Sequence, residues 1–215
     1  MVLQISLLRD GVRPMSKRTD LLPILPLHTV LFPGSVLPLK IFEPRYTDMI
    51  SHCMKTESNF GICLIRTGDE IGEAAKTYEV GTVAKITDWH LRSDGLLGIT
   101  ILGEERFRIL SETIQSNQLL VAEIEYIEEE PRYDLPSQFE GLADYLPESV
   151  VSDSVPGDSK ERNIDDPRWL GFRLADHLPL KLSQKQYFLQ LSDPFMRLQG
   201  LSELLDNLNQ IDKAS

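Results

Sequence analysis

Two cysteines, four histidines and a run of three glutamates are the residues of this chain that could carry chemistry. Cys53 and Cys63 would have to act as thiolates, and a thiolate needs a polar, electropositive setting. Cys53 instead falls in an apolar series, and Cys63 sits inside Phe-Gly-Ile-Cys-Leu-Ile, so both read as inert core packing. His28, His52, His90 and His177 are scattered, and no C-x-x-C or H-E-x-x-H spacing pairs two ligands, so no metal is expected. Glu128, Glu129 and Glu130 set three carboxylates in a row. Acid–base work needs a carboxyl with a shifted pKa in a cleft, and a charge run is by default a solvated face. None of the thirteen glycines precedes a lysine, so the G-x-x-x-x-G-K-[ST] phosphate loop is absent. The chain reads as non-enzymatic, with no catalytic residue and no cofactor.

The elements that could position such groups are bounded by composition. A chain of 215 residues, 41% apolar and 26% charged, can bury a core of ordinary globular kind. No run approaches the ~20 apolar residues of a membrane span, so no membrane partner is expected. Residues 2–8 form a short apolar patch, but no basic residue precedes it and no cleavage site follows, so a signal peptide is not expected. Residues 1–20 read as a loose leader, with Met15 a second candidate start. Two cysteines are too few for a disulfide framework, which points to a reducing cytoplasm. The net charge is −11, and residues 123–165 hold thirteen acids against Arg132, Lys160 and Arg162. That field repels phosphate backbones, so nucleic acid is not expected as a partner.

Residues 21–130 read as strand-rich. Apolar runs or alternation mark 36–41, 60–65, 82–91, 96–110 and 122–126, and Ser93-Asp94-Gly95 signals a hairpin. One helix starts at Pro44, with Tyr46, Met49, Ile50, Cys53 and Met54 on one stripe. After Pro131 the apolar period lengthens toward 3.6, giving a helical part at 131–212. Ser137 and Glu140 are expected to cap a helix carrying Phe139, Leu142, Ala143 and Leu146. Residues 151–164 read as an exposed loop. Asp166-Pro167 and Asp193-Pro194 start helices, and Ser183 with Gln186 is expected to cap another. Strands followed by helices make an α+β fold.

Several words along the chain resemble one family. They are L-P-I-L-P-L-H-T-V-L-F-P-G-S-V-L-P-L-K-I-F-E-P-R-Y from Leu22 to Tyr46, Y-E-V-G-T-V-A from Tyr78, and G-E-E-R-F-R-I from Gly103. H-L-P-L-K-L-S-Q-K-Q from His177 and D-P-F-M-R-L-Q-G-L-S-E-L-L from Asp193 continue the series. In this order and spacing they resemble the N-terminal domain of Lon, the ATP-dependent protease. The resemblance implies a PUA-like twisted antiparallel β pseudo-barrel with one helix, then a helical bundle. It also implies a recognition module, because residue 215 comes before Lon's ATPase and peptidase parts would begin.

By that resemblance the partner is an unfolded or exposed polypeptide segment, or a protease or chaperone acting in trans. The candidate contact residues are Leu31, Phe32 and Pro33, rimmed by Phe42, Arg45 and Tyr46. Phe32 is open to two readings, a core plug or an exposed anchor. Arg45 is expected to pair with a nearby acid. The rival reading is RNA binding, since PUA-like folds elsewhere bind RNA and Lys85, Arg92, Arg106 and Arg108 lie on the predicted sheet.

Overall fold

The computed structural model describes residues 17–152 and 164–213. Strands β1 (Thr19–Leu27) and β2 (Val36–Ile41) precede helix α1 (Pro44–Thr56). Then come β3 (Phe60–Thr67), β4 (Lys76–Thr77), β5 (Val80–Leu91), β6 (Leu97–Ile114) and β7 (Leu120–Tyr126). A 3₁₀ helix (Ser137–Tyr145) leads to α2 (Glu148–Ser152), α3 (Pro167–His177), α4 (Leu182–Gln190) and α5 (Pro194–Lys213).

Five strands close on themselves. β1 pairs with β7, β7 with β6, β6 with β5 and β5 with β3, all antiparallel, and β3 returns to β1 in parallel. Closure is the most complete way to remove exposed strand edges. The prolines of β1 fit because β1 changes neighbours midway. It meets β7 over 19–24 and β3 over 24–27. Pro23 and Pro26 therefore each lie where β1 has a neighbour on one side only. β1 begins at Thr19, inside the stretch read as leader, and Arg18 beside it stacks on Tyr126 at 3.5 Å.

The barrel interior holds Leu22, Ile24, Cys63, Val83, Phe107, Leu120, Ala122 and Ile124. Phe107 fills it because Gly61 and Gly81 leave room for its ring. A Cβ on Gly81 would lie 2.4 Å from the Ile62 carbonyl oxygen and 2.7 Å from the Phe107 ring. Gly81→Ala should therefore cost about 1–3 kcal/mol of stability through overpacking. A denaturant midpoint equal to wild type would contradict this packing.

Strand β6 is 18 residues long and runs past the barrel. Its residues 97–102 pair with β2 on one side and with the far half of β5 on the other. This three-stranded extension carries α1 on one face. Ile41, Ile99 and Ile101 meet Tyr46, Met49, Ile50 and Cys53 there in one buried cluster. The helix stripe read from the sequence is the face that packs.

The helices share a core with the barrel rather than building their own. Val30, Phe32, Leu64 and Val80 from the strand part join Phe139, Leu170, Leu174, Phe188, Leu198 and Leu201. Asp166 caps α3 by accepting from the Arg168 N–H at 2.9 Å, and Asp193 accepts from the Phe195 N–H at 2.8 Å. Two expected caps fall elsewhere. Pro136, not Ser137, precedes the first helical turn, which is 3₁₀ and so keeps Ala143 only half-buried. α4 begins at Leu182, and Gln184 accepts from the Lys181 N–H at 3.0 Å. Gln186 is instead buried and donates to the Val80 carbonyl at 2.9 Å, tying α4 to the barrel. Of the expected loop at 151–164, Val151 and Ser152 end α2, Ile164 is exposed, and 153–163 lie outside the described residues.

Candidate partner-binding surface

The turn after Val30 is built to face inward. Pro33 presets φ and Gly34 adopts φ 74°, which lets the Ser35 N–H reach the Phe32 carbonyl at 3.0 Å. That is the sequence logic of a type II turn. Leu31 and Phe32 are 2% and 0% exposed, and the Phe32 ring lies 6.0 Å from that of Phe172 on α3. Arg173 donates to the Pro33 and Gly34 carbonyls at 2.5 and 3.0 Å and to the Ser35 hydroxyl at 2.8 Å. The Ser35 hydroxyl in turn donates to Asp176 at 2.6 Å. Of the two readings of Phe32, the geometry is that of the core plug. The turn's partner is the chain's own α3, and only Pro33 and Gly34 keep partial exposure.

The rim residues divide in the same way. Arg45 is buried, pairs with Glu43 at 3.0 Å, donates to the Gln118 carbonyl at 2.8 Å and stacks over Tyr46 at 4.6 Å. Burial of the Tyr46 phenol pushes its pKa up to about 12, against the opposing charge of Arg45. Both side chains serve the start of α1. Phe42 alone faces out, 47% exposed.

The glutamate run is not a uniform solvated face. Glu128 and Glu129 are exposed, but Glu130 is only 6% exposed and lies between two buried arginines. Arg106 of β6 donates to it at 2.7 Å. Arg197 of α5 donates to it at 3.0 Å through one nitrogen and also through the other. The same guanidiniums serve the end of α4. Arg106 donates to the carbonyls of Leu189 and Leu191, and Arg197 to those of Phe188 and Leu191. Arg197 also lies 3.8 Å over the Phe172 ring. Burial, with Arg197 nearby, pulls Arg106 down to about 10 against the pull of Glu130. One sequence signal for this centre existed. Arg197, Leu201 and Leu205 are spaced by four, which puts an arginine on the apolar stripe of α5.

Two apolar areas stand out at the surface of the described residues. One is the open end of the three-stranded extension. Register aligns Leu39 with Ile99 and Trp89, and Ile41 with Leu97 and Leu91. α1 covers the Ile41 and Ile99 end of these rows, while Trp89 and Leu91 are 57% and 74% exposed. Phe42 follows Ile41 at the same end. Sequence reading missed Trp89 and Leu91, although their alternation with Asp88 and His90 carries the signal. The other area is a groove of about 550 Å³ lined by Phe139, Tyr187, Phe195, Met196, Gln199 and Glu203, among others.

The match to the family model described as ATP-dependent protease La (LON) substrate-binding domain runs over residues 21–207. The chain belongs to this Lon family. It is 30% identical to the Lon protease of Escherichia coli, an alignment spanning 92% of this chain and 26% of that protein. With the Lon protease of Anaeromyxobacter dehalogenans the identity is 29%, over 90% of this chain and 24% of the other. The chain thus spans about a quarter of the length of these relatives. It resembles the crystal structure of a Lon N-terminal domain protein from Xanthomonas campestris at 33% identity and a TM-score of 0.73, covering 86% of this chain and 98% of that one. The N-terminal domain of Lon protease from the Mycobacterium avium complex shares the fold, at 18% identity and a TM-score of 0.59.

Within this Lon-type domain the nominal nucleophiles are buried. Cys53 and Cys63 are 2% and 1% exposed, and burial raises both thiol pKa values. Among the described residues no cluster of three or more His, Cys, Asp or Glu could hold a metal ion. No described helix is long and apolar enough to cross a membrane.

Proposed function

We propose that this Lon-type domain recognises and holds exposed segments of other polypeptides, and that it does so without an ATPase or peptidase activity of its own. Family membership supports the protein-binding reading. The observation that carries the site is the apolar end of the three-stranded extension, where Phe42, Trp89 and Leu91 stand exposed. Large side chains held on rigid strands with little freedom to lose make effective contact anchors. This replaces the Leu31-Phe32-Pro33 turn as the contact centre and keeps Phe42 from the expected rim. On the basic face of the RNA reading Lys85 is exposed, but Arg106 is buried against Glu130, and Arg92 and Arg108 pair with Asp94 and Glu79, which favours the protein-binding reading.

The test is binding of permanently unfolded, carboxymethylated casein by anisotropy. Trp89→Ala with Leu91→Ala should weaken it by about 2 kcal/mol or more while the melting temperature stays near wild type. Unchanged affinity in the double variant would reject this surface. Affinity for single-stranded RNA that falls steeply with salt would favour the rival.

A further inference from the structure

The extension has two outer edges, β2 and the far half of β5, and they are not equivalent. β5 pairs with β3 only at Thr82 to Ala84, through the rungs Phe60–Ala84, Gly61–Val83 and Ile62–Thr82. Beyond that, among the described residues, β5 has β6 as its one strand neighbour. A bulge separates Ile86 from Asp88, after which four regular rungs run from Asp88–Thr100 to Leu91–Leu97. The hairpin fixes which backbone groups are free. The Arg92 N–H donates to the Leu96 carbonyl at 2.9 Å. Antiparallel alternation then turns His90 and Asp88 toward β6, and turns the N–H and C=O of Trp89 and Leu91 to the open edge. The same alternation on β6 aims Ile99 and Ile101 at β2, so Pro38 sits on the outer side of β2. That edge lacks a donor where an added strand would need one, a common way to blunt an edge. From Val80 to Leu91, β5 has no proline.

From this we infer that the Asp88–Leu91 edge of β5 is a docking strand, and that its occupant is an extended segment of a client polypeptide added in β-conformation. Backbone bonding to Trp89 and Leu91 ignores client sequence, which suits a module that meets many unfolded chains. Selection comes from the side chains. Trp89 and Leu91 lie on the α1-facing side of the sheet, so every second client residue lands beside them and should be apolar. The formal net charge of −11 favours clients with lysine or arginine at the intervening positions. That charge also opposes a second copy of this chain as the occupant. The inference rests on the protein-binding reading above and names how the segment is held.

The experiment uses the whole chain and two probes. One is a short peptide alternating valine with lysine, and the other is the same peptide N-methylated on the amides of one edge. The plain peptide should bind, and methylation should weaken it at least about tenfold, because each blocked amide removes a backbone bond. Hydrogen exchange with the plain peptide should newly protect the amides of Trp89 and Leu91, while those of Asp88 and His90 are already slow. Equal binding of both peptides with no new protection, while casein binding still depends on the Trp89 and Leu91 side chains, overturns strand addition and leaves the protein-binding reading intact. Protection of the same amides that grows with protein concentration, in the absence of peptide, overturns the client as occupant in favour of a second copy. No binding of casein or peptide rejects both.

Discussion

Phe32→Ala should lower folding stability by about 3–5 kcal/mol and weaken client binding only in proportion to the unfolded fraction. The ring is fully buried in a core drawn from both parts of the chain, against Phe172 and near Leu170 and Leu174. Removing it leaves a cavity that cannot easily collapse. The Leu31–Ser35 backbone is pinned from the far side by Arg173, and Gly103 is packed against the Phe32 carbonyl, where a Cβ would come within 2.3 Å. For a chain of this size the loss corresponds to a melting temperature lower by roughly 10 °C. Phe42→Ala is the control. Its side chain is 47% exposed, so its stability change should be small. A Phe32→Ala variant that melts like wild type yet loses client binding would restore the exposed-anchor reading.

The sequence carried the fold at several places where one local rule acted alone, though not at the caps expected at Ser137 and Ser183. The α1 stripe, the Asp94-Gly95 hairpin and the Asp-Pro starts of α3 and α5 are short-range signals, and each stands where expected. It failed where a distant neighbour decides. The β1 prolines argue against a strand until one knows that β1 changes partners between Pro23 and Pro26. Phe32 in a Pro-Gly turn looks as ready to face solvent as to face a core, and only the return of α3, about 140 positions later, settles it. Glu130 is the clearest case. In sequence it is the third of three equal carboxylates, and its burial depends on Arg106 and Arg197, 24 and 67 positions away. The surface was legible only in part. Phe42 was read as rim and is exposed, while Trp89 and Leu91 gained meaning once β3 was seen to leave β5 at Ala84.

Glu130→Ala should be as damaging as the Phe32 change, about 3–5 kcal/mol, by a different route. Arg106 is lowered only to about 10, so it stays charged at neutral pH, and Arg197 is wholly buried beside it. One carboxylate faces both cations. Without it two guanidiniums remain in the interior with no counter-charge. The general expectation for a buried ion cluster is that replacing every member by apolar groups of similar size restores or improves stability. Here that rescue should fail. Arg106 and Arg197 also donate to the carbonyls of Phe188, Leu189 and Leu191, where α4 ends and turns into α5. Each carbonyl left unpaired in the interior costs about 1–3 kcal/mol. The triple variant Arg106→Met, Glu130→Leu, Arg197→Met should therefore be no more stable than Glu130→Ala. Glu130→Gln, which keeps both arginines on those carbonyls, should fall between Glu130→Ala and wild type. Denaturant midpoints of the three variants at neutral pH decide the matter. A triple variant as stable as wild type would mean that the arginines neutralise one carboxylate and do nothing further for the α4–α5 corner.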